Sequence, residues 1–241
     1  MVEVRAVAVL SGGVDSTSYA AYWKLRRGAA IYPLVFNYGQ KAQREVAVAV
    51  GLSRRLGFEE PRVLDISFMK QLWAGAQLTD EAVPIEEDYA PTAIVPLRNA
   101  VFLTIATAYA CTIGAGAVLI GSHLDDARIN PSTNEPYYPD CHPTFLAALE
   151  AALNLGHLPT YVRKVELWSP AREGLTKAQN LRRGYELMGD LIYETWSCYR
   201  GGERHCGRCE SCVKRHEAFI EAGLSDRTDY EVKPRPRRPL S

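Results

Sequence analysis

A short apolar run, Val4 to Leu10 (VRAVAVL), turns on two glycines directly into a segment where Tyr19, Tyr22, Trp23 and Arg26 recur at helical spacing. The joint between them is Leu10-Ser11-Gly12-Gly13-Val14-Asp15-Ser16-Thr17. Two glycines let the backbone turn tightly and bring its N–H groups close to an anion. The hydroxyls add donors, and the helix that follows points its positive end at the same spot. The joint therefore reads as a pyrophosphate cradle, with Leu10, Ser11, Gly12, Gly13, Asp15, Ser16 and Thr17 as its candidate residues. A carboxylate beside a phosphate makes sense if Mg²⁺ bridges the two, which singles out Asp15. The plainer reading makes Ser11, Asp15 or Ser16 a helix N-cap. The spacing lacks the GxxxxGK[ST] pattern and its lysine, so γ-phosphate transfer is not expected.

Downstream the same alternation repeats. Strands are expected over Ala30 to Phe36, Arg62 to Ile66, Ala117 to Gly121 and Val162 to Leu167. Helices are expected over Asp15 to Arg27, Ala42 to Leu56, Asn99 to Thr112 and Pro143 to Leu155, with a last core helix opened by Lys177 after a capping Thr176. This pattern implies an α/β fold, a doubly wound, mostly parallel five-stranded sheet of Rossmann type. Two long stretches, residues 67–97 and 122–142, are rich in Asp, Glu, Pro and Asn and follow predicted strands. In open parallel sheets the ligand crevice lies beyond the carboxyl ends of the strands, so these stretches are the candidate substrate walls.

The chain has 241 residues, 47% of them hydrophobic, with 28 basic and 28 acidic side chains. A balanced charge argues against holding a nucleic-acid backbone by bulk electrostatics, and the main basic run, Lys233 to Arg238, is interrupted by prolines. The longest membrane candidate, Val101 to Ile120, is broken by Thr, Cys and Gly, and the N-terminal apolar stretch is too short for a signal peptide. The reading is a cytoplasmic protein with no membrane partner, in which six cysteines are not expected to pair as disulfides.

Four of the six fall in the spacing Cys198-x7-Cys206-x2-Cys209-x2-Cys212, among glycines that let the chain wrap around a point. Four thiolates at that spacing form a closed tetrahedral Zn²⁺ site, with an iron–sulfur cluster as the competitor. His205 is read as a neighbour of the knuckle and Cys111 as a small core residue. The expected organisation is a nucleotide-binding α/β domain over 1–190, a small helical zinc-knuckle subdomain over 191–224 and a flexible tail over 225–241.

SGGVDS resembles the pyrophosphate loop of ATP pyrophosphatases. Over the whole chain, the ordered set SGGVDST (11–17), FNYGQK (36–41), VPLRNAVFL (95–103), IGSHLDD (120–126), YPDC (138–141), LTK (175–177) and TWSCY…CGRCESC (195–212) resembles the 7-cyano-7-deazaguanine synthase family. The resemblance implies an adenine-nucleotide hydrolase-like fold and an ATP-dependent carbon–nitrogen ligase. Such an enzyme takes 7-carboxy-7-deazaguanine and ammonia to the 7-cyano base through adenylated acid and amide intermediates, in the queuosine and archaeosine pathways. It also implies a homodimer.

By the same resemblance Asp15, Arg98 and Lys177 are the catalytic candidates. Phe36 and Gln40 would lie by the adenine and ribose. Asp126, Tyr138, Asp140 and Cys141 would hold the deazaguanine, and Trp196 would stack on it. Plainer roles are a first-turn arginine, a surface lysine, turn chemistry for Gln40 and knuckle packing for Trp196. Two departures fall in the proposed base pocket: an insertion, Ala127 to Tyr137, and His142 where the family has arginine. They leave open a paralogue that passes the same activated acid to another nucleophile or stops at the amide. The further alternatives are a tRNA-modifying ATP pyrophosphatase and a non-catalytic zinc- and nucleotide-binding module.

Overall fold

The computed structural model describes residues 4–131, 133–157 and 164–237. Strand β1 (Arg5–Val9) leads through the glycine turn into α1 (Val14–Arg27), then β2 (Ala30–Asn37), α2 (Arg44–Arg55) and β3 (Arg62–Asp65). After the first long excursion come α3 (Arg98–Ile113) and β4 (Ala117–Leu119). A two-residue hairpin, β5 (Ile129–Asn130) with β6 (Glu135–Pro136), sits in the second excursion, followed by α4 (Pro143–His157), β7 (Glu166–Trp168), α5 (Lys177–Met188) and α6 (Glu210–Glu221).

The five main strands form one sheet in the order β3-β2-β1-β4-β7, every neighbouring pair parallel. Such sheets are buried on both faces, and β1 shows it residue by residue. Ala6, Ala8 and Leu10 pack with α1, α5 and Phe219 of α6, while Val7 and Val9 pack with Phe102, Leu103 and Ala106 of α3 and Leu146 of α4. The strand order reverses direction between β1 and β4. The crevice beyond their carboxyl ends is therefore where a doubly wound sheet receives its ligand.

Several expectations shift. The fifth strand lies at Glu166–Trp168, where it pairs with Ala117–Leu119 of β4; Val162 and Arg163 of the expected span lie outside the described residues. The insertion is not plain loop, because Ile129 pairs with Pro136 and Asn130 with Glu135 in an antiparallel register. The expected flexible tail is packed down as far as Arg237. Tyr230 bridges His205, Asp226 accepts from Tyr230 at 2.9 Å and bonds His216 at 2.7 Å, and the Arg237 N–H donates to Glu217 at 2.6 Å. Its prolines do not prevent docking, since the partners are side chains and single bridges rather than a continuous ladder.

By length and composition the stretch Pro91–Ile113 reaches the threshold for a membrane-crossing helix, which its interrupted apolar runs had not shown. Its apolar residues have a use in the fold: α3 packs Phe102, Leu103, Ala106 and Ala110 against the sheet.

Candidate functional site

At the switch point a cavity of about 250 Å³ opens between the turn after β1 and the loop after β4. The N-cap of α1 is Gly13, and no side chain caps the helix. Of the plainer readings, then, none of Ser11, Asp15 or Ser16 closes this end, which leaves the start of α1 without a side-chain cap beside the cavity. Ser11 is held by its own loop: its N–H donates to Ser16 Oγ at 3.2 Å, the two hydroxyls lie 3.0 Å apart, and Gly13 N–H donates to Ser11 Oγ at 3.2 Å.

Gly12 serves packing rather than ligand contact. It has φ of 75°, and a Cβ there would meet Glu45 O at 2.7 Å and Ala49 N at 2.8 Å, both on α2. From the other side Gly121, at the end of β4, lets the chain pass the start of α1, where a Cβ would meet Ser16 N at 2.6 Å. Gly12 and Thr17 thus stand behind the cavity wall. Leu10, Ser11, Gly13, Asp15 and Ser16 form it.

Asp15 and Lys177 meet across the mouth. Lys177 opens α5 after Thr176, whose hydroxyl accepts from Gln179 N–H at 3.2 Å while Gln179 Oε1 accepts from Thr176 N–H at 2.9 Å, a complete capping box. That box aims the lysine, and its ammonium donates to Asp15 Oδ2. Burial pushes the Asp15 pKa up, but the charges of Lys177 and His123 outweigh it and hold the carboxyl below its ordinary value. Its second oxygen, Oδ1, is buried without a hydrogen-bond partner. An orphaned carboxylate oxygen beside a free helix N-terminus fits a cation bridging to phosphate.

Arg98 begins α3 and turns inward. It is not a solvated first-turn residue: its side chain stays in the cavity wall, 3.5 Å from Tyr38 OH and 3.5 Å from Asn99 Oδ1, with Nε unpartnered. Burial opposes its charge, whereas Tyr38, Asp140 and Cys141 favour it and raise its pKa on balance. The residue before it, Leu97, is exposed with φ of 54°, the left-handed region, so the entry to this helix is strained.

Asp140 does not reach the cavity. It accepts from Asn99 N–H at 3.3 Å and caps the start of α3. Cys141, by contrast, is buried on the cavity wall, accepts from Asn99 Nδ2 at 3.4 Å, and has its thiol pKa pushed up by burial and by Asp126 and Asp140.

Phe36 lies in the wall, stacked on Phe102 with ring centroids 4.3 Å apart. Gln40 also lines it, but its amide is spent on its own turn, accepting from Tyr38 N–H at 3.0 Å and donating to Phe36 O at 3.2 Å. Asp126 lies near Asp15, the two carboxylates flanking His123 Nε2 at 3.4 and 3.9 Å, and Tyr138 OH donates to Glu210 at 2.9 Å. Both expected substrate walls reach the cavity, residues 67–97 through Leu78 and Ala93 and residues 122–142 through His123, Asp126, Tyr138 and Cys141.

Four contributors carried no motif of their own. Glu45 of α2 faces Arg98 with its carboxyl pushed up to about 8, mainly by burial. His123 is buried, with Nε2 3.4 Å from Asp126 and Nδ1 3.6 Å from Asp125. Asn99 and Lys214 complete the set. Only their place within IGSHLDD and VPLRNAVFL, two of the strings that carry the family resemblance, could have pointed to His123 and Asn99.

Cys198, Cys206, Cys209 and Cys212 converge with all four sulfurs within 4.8 Å of one another, every residue buried and none in a disulfide. Backbone N–H groups of Cys206, Arg208 and Cys209 donate to the sulfurs of Cys198 and Cys206 at 3.3–3.4 Å. Four converging sulfurs with N–H donors aimed at them could hold a metal ion as a closed site. His205 is not a fifth ligand, since its Nε2 accepts from Ser197 N–H at 3.1 Å. Trp196 packs the knuckle, with its ring 4.3 Å from that of His205 and its N–H on Cys198 O, and it also lines the cavity.

The family described as Queuosine biosynthesis protein QueC matches residues 5–223. A 7-cyano-7-deazaguanine synthase from Marinomonas sp. (strain MWYL1) is 37% identical over 233 residues, covering 95% of this chain and 99% of the relative. One from Marinobacter nauticus is 38% identical, covering 93% and 96%. One from Thermoplasma acidophilum is 35% identical, covering 95% and 93%. With the family model matching most of the chain and relatives above 30% identity over nearly its full length, the chain belongs to the QueC family of queuosine biosynthesis proteins, with 7-cyano-7-deazaguanine synthases as its relatives.

Proposed function

We propose that the protein converts 7-carboxy-7-deazaguanine to 7-cyano-7-deazaguanine with ATP and ammonia. The observation that carries this reading is a single cavity lined by two unlike sets of groups. An uncapped helix start with the Asp15–Lys177 pair forms one set, Asp126, Tyr138 and Cys141 form the other, and His123 joins them, its Nε2 3.9 Å from Asp15 and 3.4 Å from Asp126.

A carboxylate resists ammonia because its leaving group is oxide. Transfer of AMP to its oxygen expels pyrophosphate and supplies a phosphate ester as leaving group. Nitrogen then bonds to the carbonyl carbon, the carbon–oxygen bond to AMP breaks, and the amide results. The same transfer to the amide oxygen lets AMP and a proton depart and leaves the nitrile. Both rounds ask the protein for placement and for stabilisation of charge on the leaving groups.

Lys177 and the N–H groups of α1 stabilise the pyrophosphate. Arg98, with its free Nε, holds the substrate carboxylate or the α-phosphate. Asp126 accepts from the ring and amino N–H groups of the base, and Phe36 backs the adenine. Asp15 would hold Mg²⁺, which would add positive charge beside the phosphates, and the four cysteines would hold Zn²⁺, which would fix the knuckle that carries Trp196. The same reading carries a cytoplasmic homodimer, which fractionation and sedimentation test.

The deciding experiment is mass spectrometry of the purified chain incubated with the acid, ATP and ammonium. The expected result is transient amide, final nitrile and two AMP per nitrile. Persistence of the acid would overturn the assignment.

A further inference from the structure

The insertion Ala127 to Tyr137 has no part in the cavity just described, yet it is folded and held. Tyr89 OH donates to Tyr137 O at 3.1 Å and the two rings meet edge to face at 4.7 Å. Together with α6 it roofs a second cavity of about 230 Å³. One wall is a single stripe of α6: Glu210, Lys214, Glu217 and Glu221 recur at intervals of four, three and four residues, which places them on one face of the helix. The opposite wall is Tyr89, Tyr137 and Arg128. His123, Lys177 and Lys214 line both cavities and form the partition between them.

The charge of this second cavity is uneven. Among the described residues, Lys214 is paired with Glu210 at 2.7 Å, Arg128 with Asp125 at 2.7 Å, Lys177 with Asp15, and Arg237 with Asp88 at 3.3 Å. Glu217 accepts only a backbone N–H, that of Arg237 at 2.6 Å, and neither Glu217 nor Glu221 is in an ion pair. The outer end is thus negative, and two tyrosine rings lie opposite. Carboxylates facing aromatic rings attract a small cation. At the inner end the imidazole of His123, 3% exposed, has Nδ1 without a hydrogen-bond partner and 3.6 Å from Asp125 of this cavity.

We infer that this second cavity is an ammonium-binding site and entry route that feeds the reaction cavity past His123 and Lys177. The inference rests on the proposed function for the identity of the cation. With nucleotide and base both seated, the first cavity is filled by its two large reactants, and the third must arrive from elsewhere. The partition meets the first cavity between the two sets of groups, with Lys177 and His123 beside Asp15, His123 beside Asp126 and Lys214 over the Tyr138 ring, which is where the proposed function brings phosphate and base together. Arg128 and Tyr137 are then what the insertion contributes to the wall of the route.

The reaction contains its own control, because acid to amide consumes ammonia and amide to nitrile does not. In Glu217→Gln/Glu221→Gln, and in the charge reversal Glu221→Lys at an exposed position, the KM for ammonium should rise about tenfold. The KM values for acid and ATP, and the rate from synthetic amide to nitrile, should stay as they were. Binding of isotope-labelled ammonium, followed by NMR line broadening against choline chloride at equal ionic strength, should weaken in the same variants. An unchanged KM for ammonium in both variants, or an equal fall in both half-reactions, overturns the inference. Should the unaltered chain bind ammonium at this face yet leave the acid untouched, the proposed function falls and the site stands.

Discussion

Lys177 and Asp15, 162 residues apart in sequence, form a hydrogen-bonded ion pair that ties the start of α5 to the start of α1 at the cavity mouth. Asp15 Oδ2 is satisfied by the lysine, while Oδ1 has no hydrogen-bond partner and lies 3.9 Å from His123 Nε2. The pair therefore presents both a positive charge and a free carboxylate oxygen to the same ligand. Lys177→Met is expected to lower kcat about 10²-fold, the usual loss when one charge-stabilising donor is removed. ATP–pyrophosphate exchange in the presence of the acid measures it, with unchanged circular dichroism as the folding check.

Glu45 gives the stability of the chain a pH slope. Its folded pKa is pushed up to about 8, above the ordinary carboxylate value. Between those two values the folded chain holds a proton that the unfolded chain releases, so stability falls as pH rises through this window. Glu45→Gln removes that slope. Thermal melting at pH 5 and pH 9 should show a gain of about 2 °C for the variant at pH 9 alone.

The cysteine knuckle predicts a bound ion. The purified chain should carry one equivalent of zinc, and exchange for cobalt should give the intense visible absorption of a tetrahedral thiolate site. A brown chain with iron absorption would overturn the zinc assignment. Cys209→Ser should lose the metal and melt earlier, because metal binding is part of the folding free energy.

Gly121→Ala tests the close approach of β4 to α1. The added methyl would sit 2.6 Å from Ser16 N and 2.9 Å from its Cα, so backbone has to move. A loss of about 1–3 kcal/mol in denaturant unfolding is expected. ATP affinity, read by calorimetry, should weaken by about tenfold, because the displaced element is the helix start that the proposed function sets against the phosphates.

The sequence pattern showed the sheet and its helices well because a parallel sheet needs apolar residues on both faces, as Val7 and Ala8 of β1 demonstrate. It misplaced β7, a strand of three residues whose position is set by pairing with β4 rather than by any run of its own. The hairpin of β5 and β6 was invisible for the same reason, with two residues on each side. Of the candidate site, the glycine loop and cysteine spacing were legible because each is local in sequence. Glu45, His123 and Lys214 were not, since their chemistry comes from elements that meet only in the fold. Thr17, Gly12 and Asp140 belong to motifs that do reach the cavity, yet their own side is turned to α2, the core or α3.

The N–H of Trp196 donates to Gly12 O at 2.9 Å, and Trp196 lies two residues before the ligand Cys198. The peptide that shapes the phosphate-facing turn is thus suspended from the metal knuckle. On the proposed reading, a chain that had lost its ion would lose the anchor of that turn as well, so metal loading would decide whether a molecule takes up nucleotide. In a cell short of zinc, the pool would divide into competent and incompetent molecules rather than slow down uniformly. Total activity would then track metal supply through the number of working copies, with the KM for ATP of those copies unchanged.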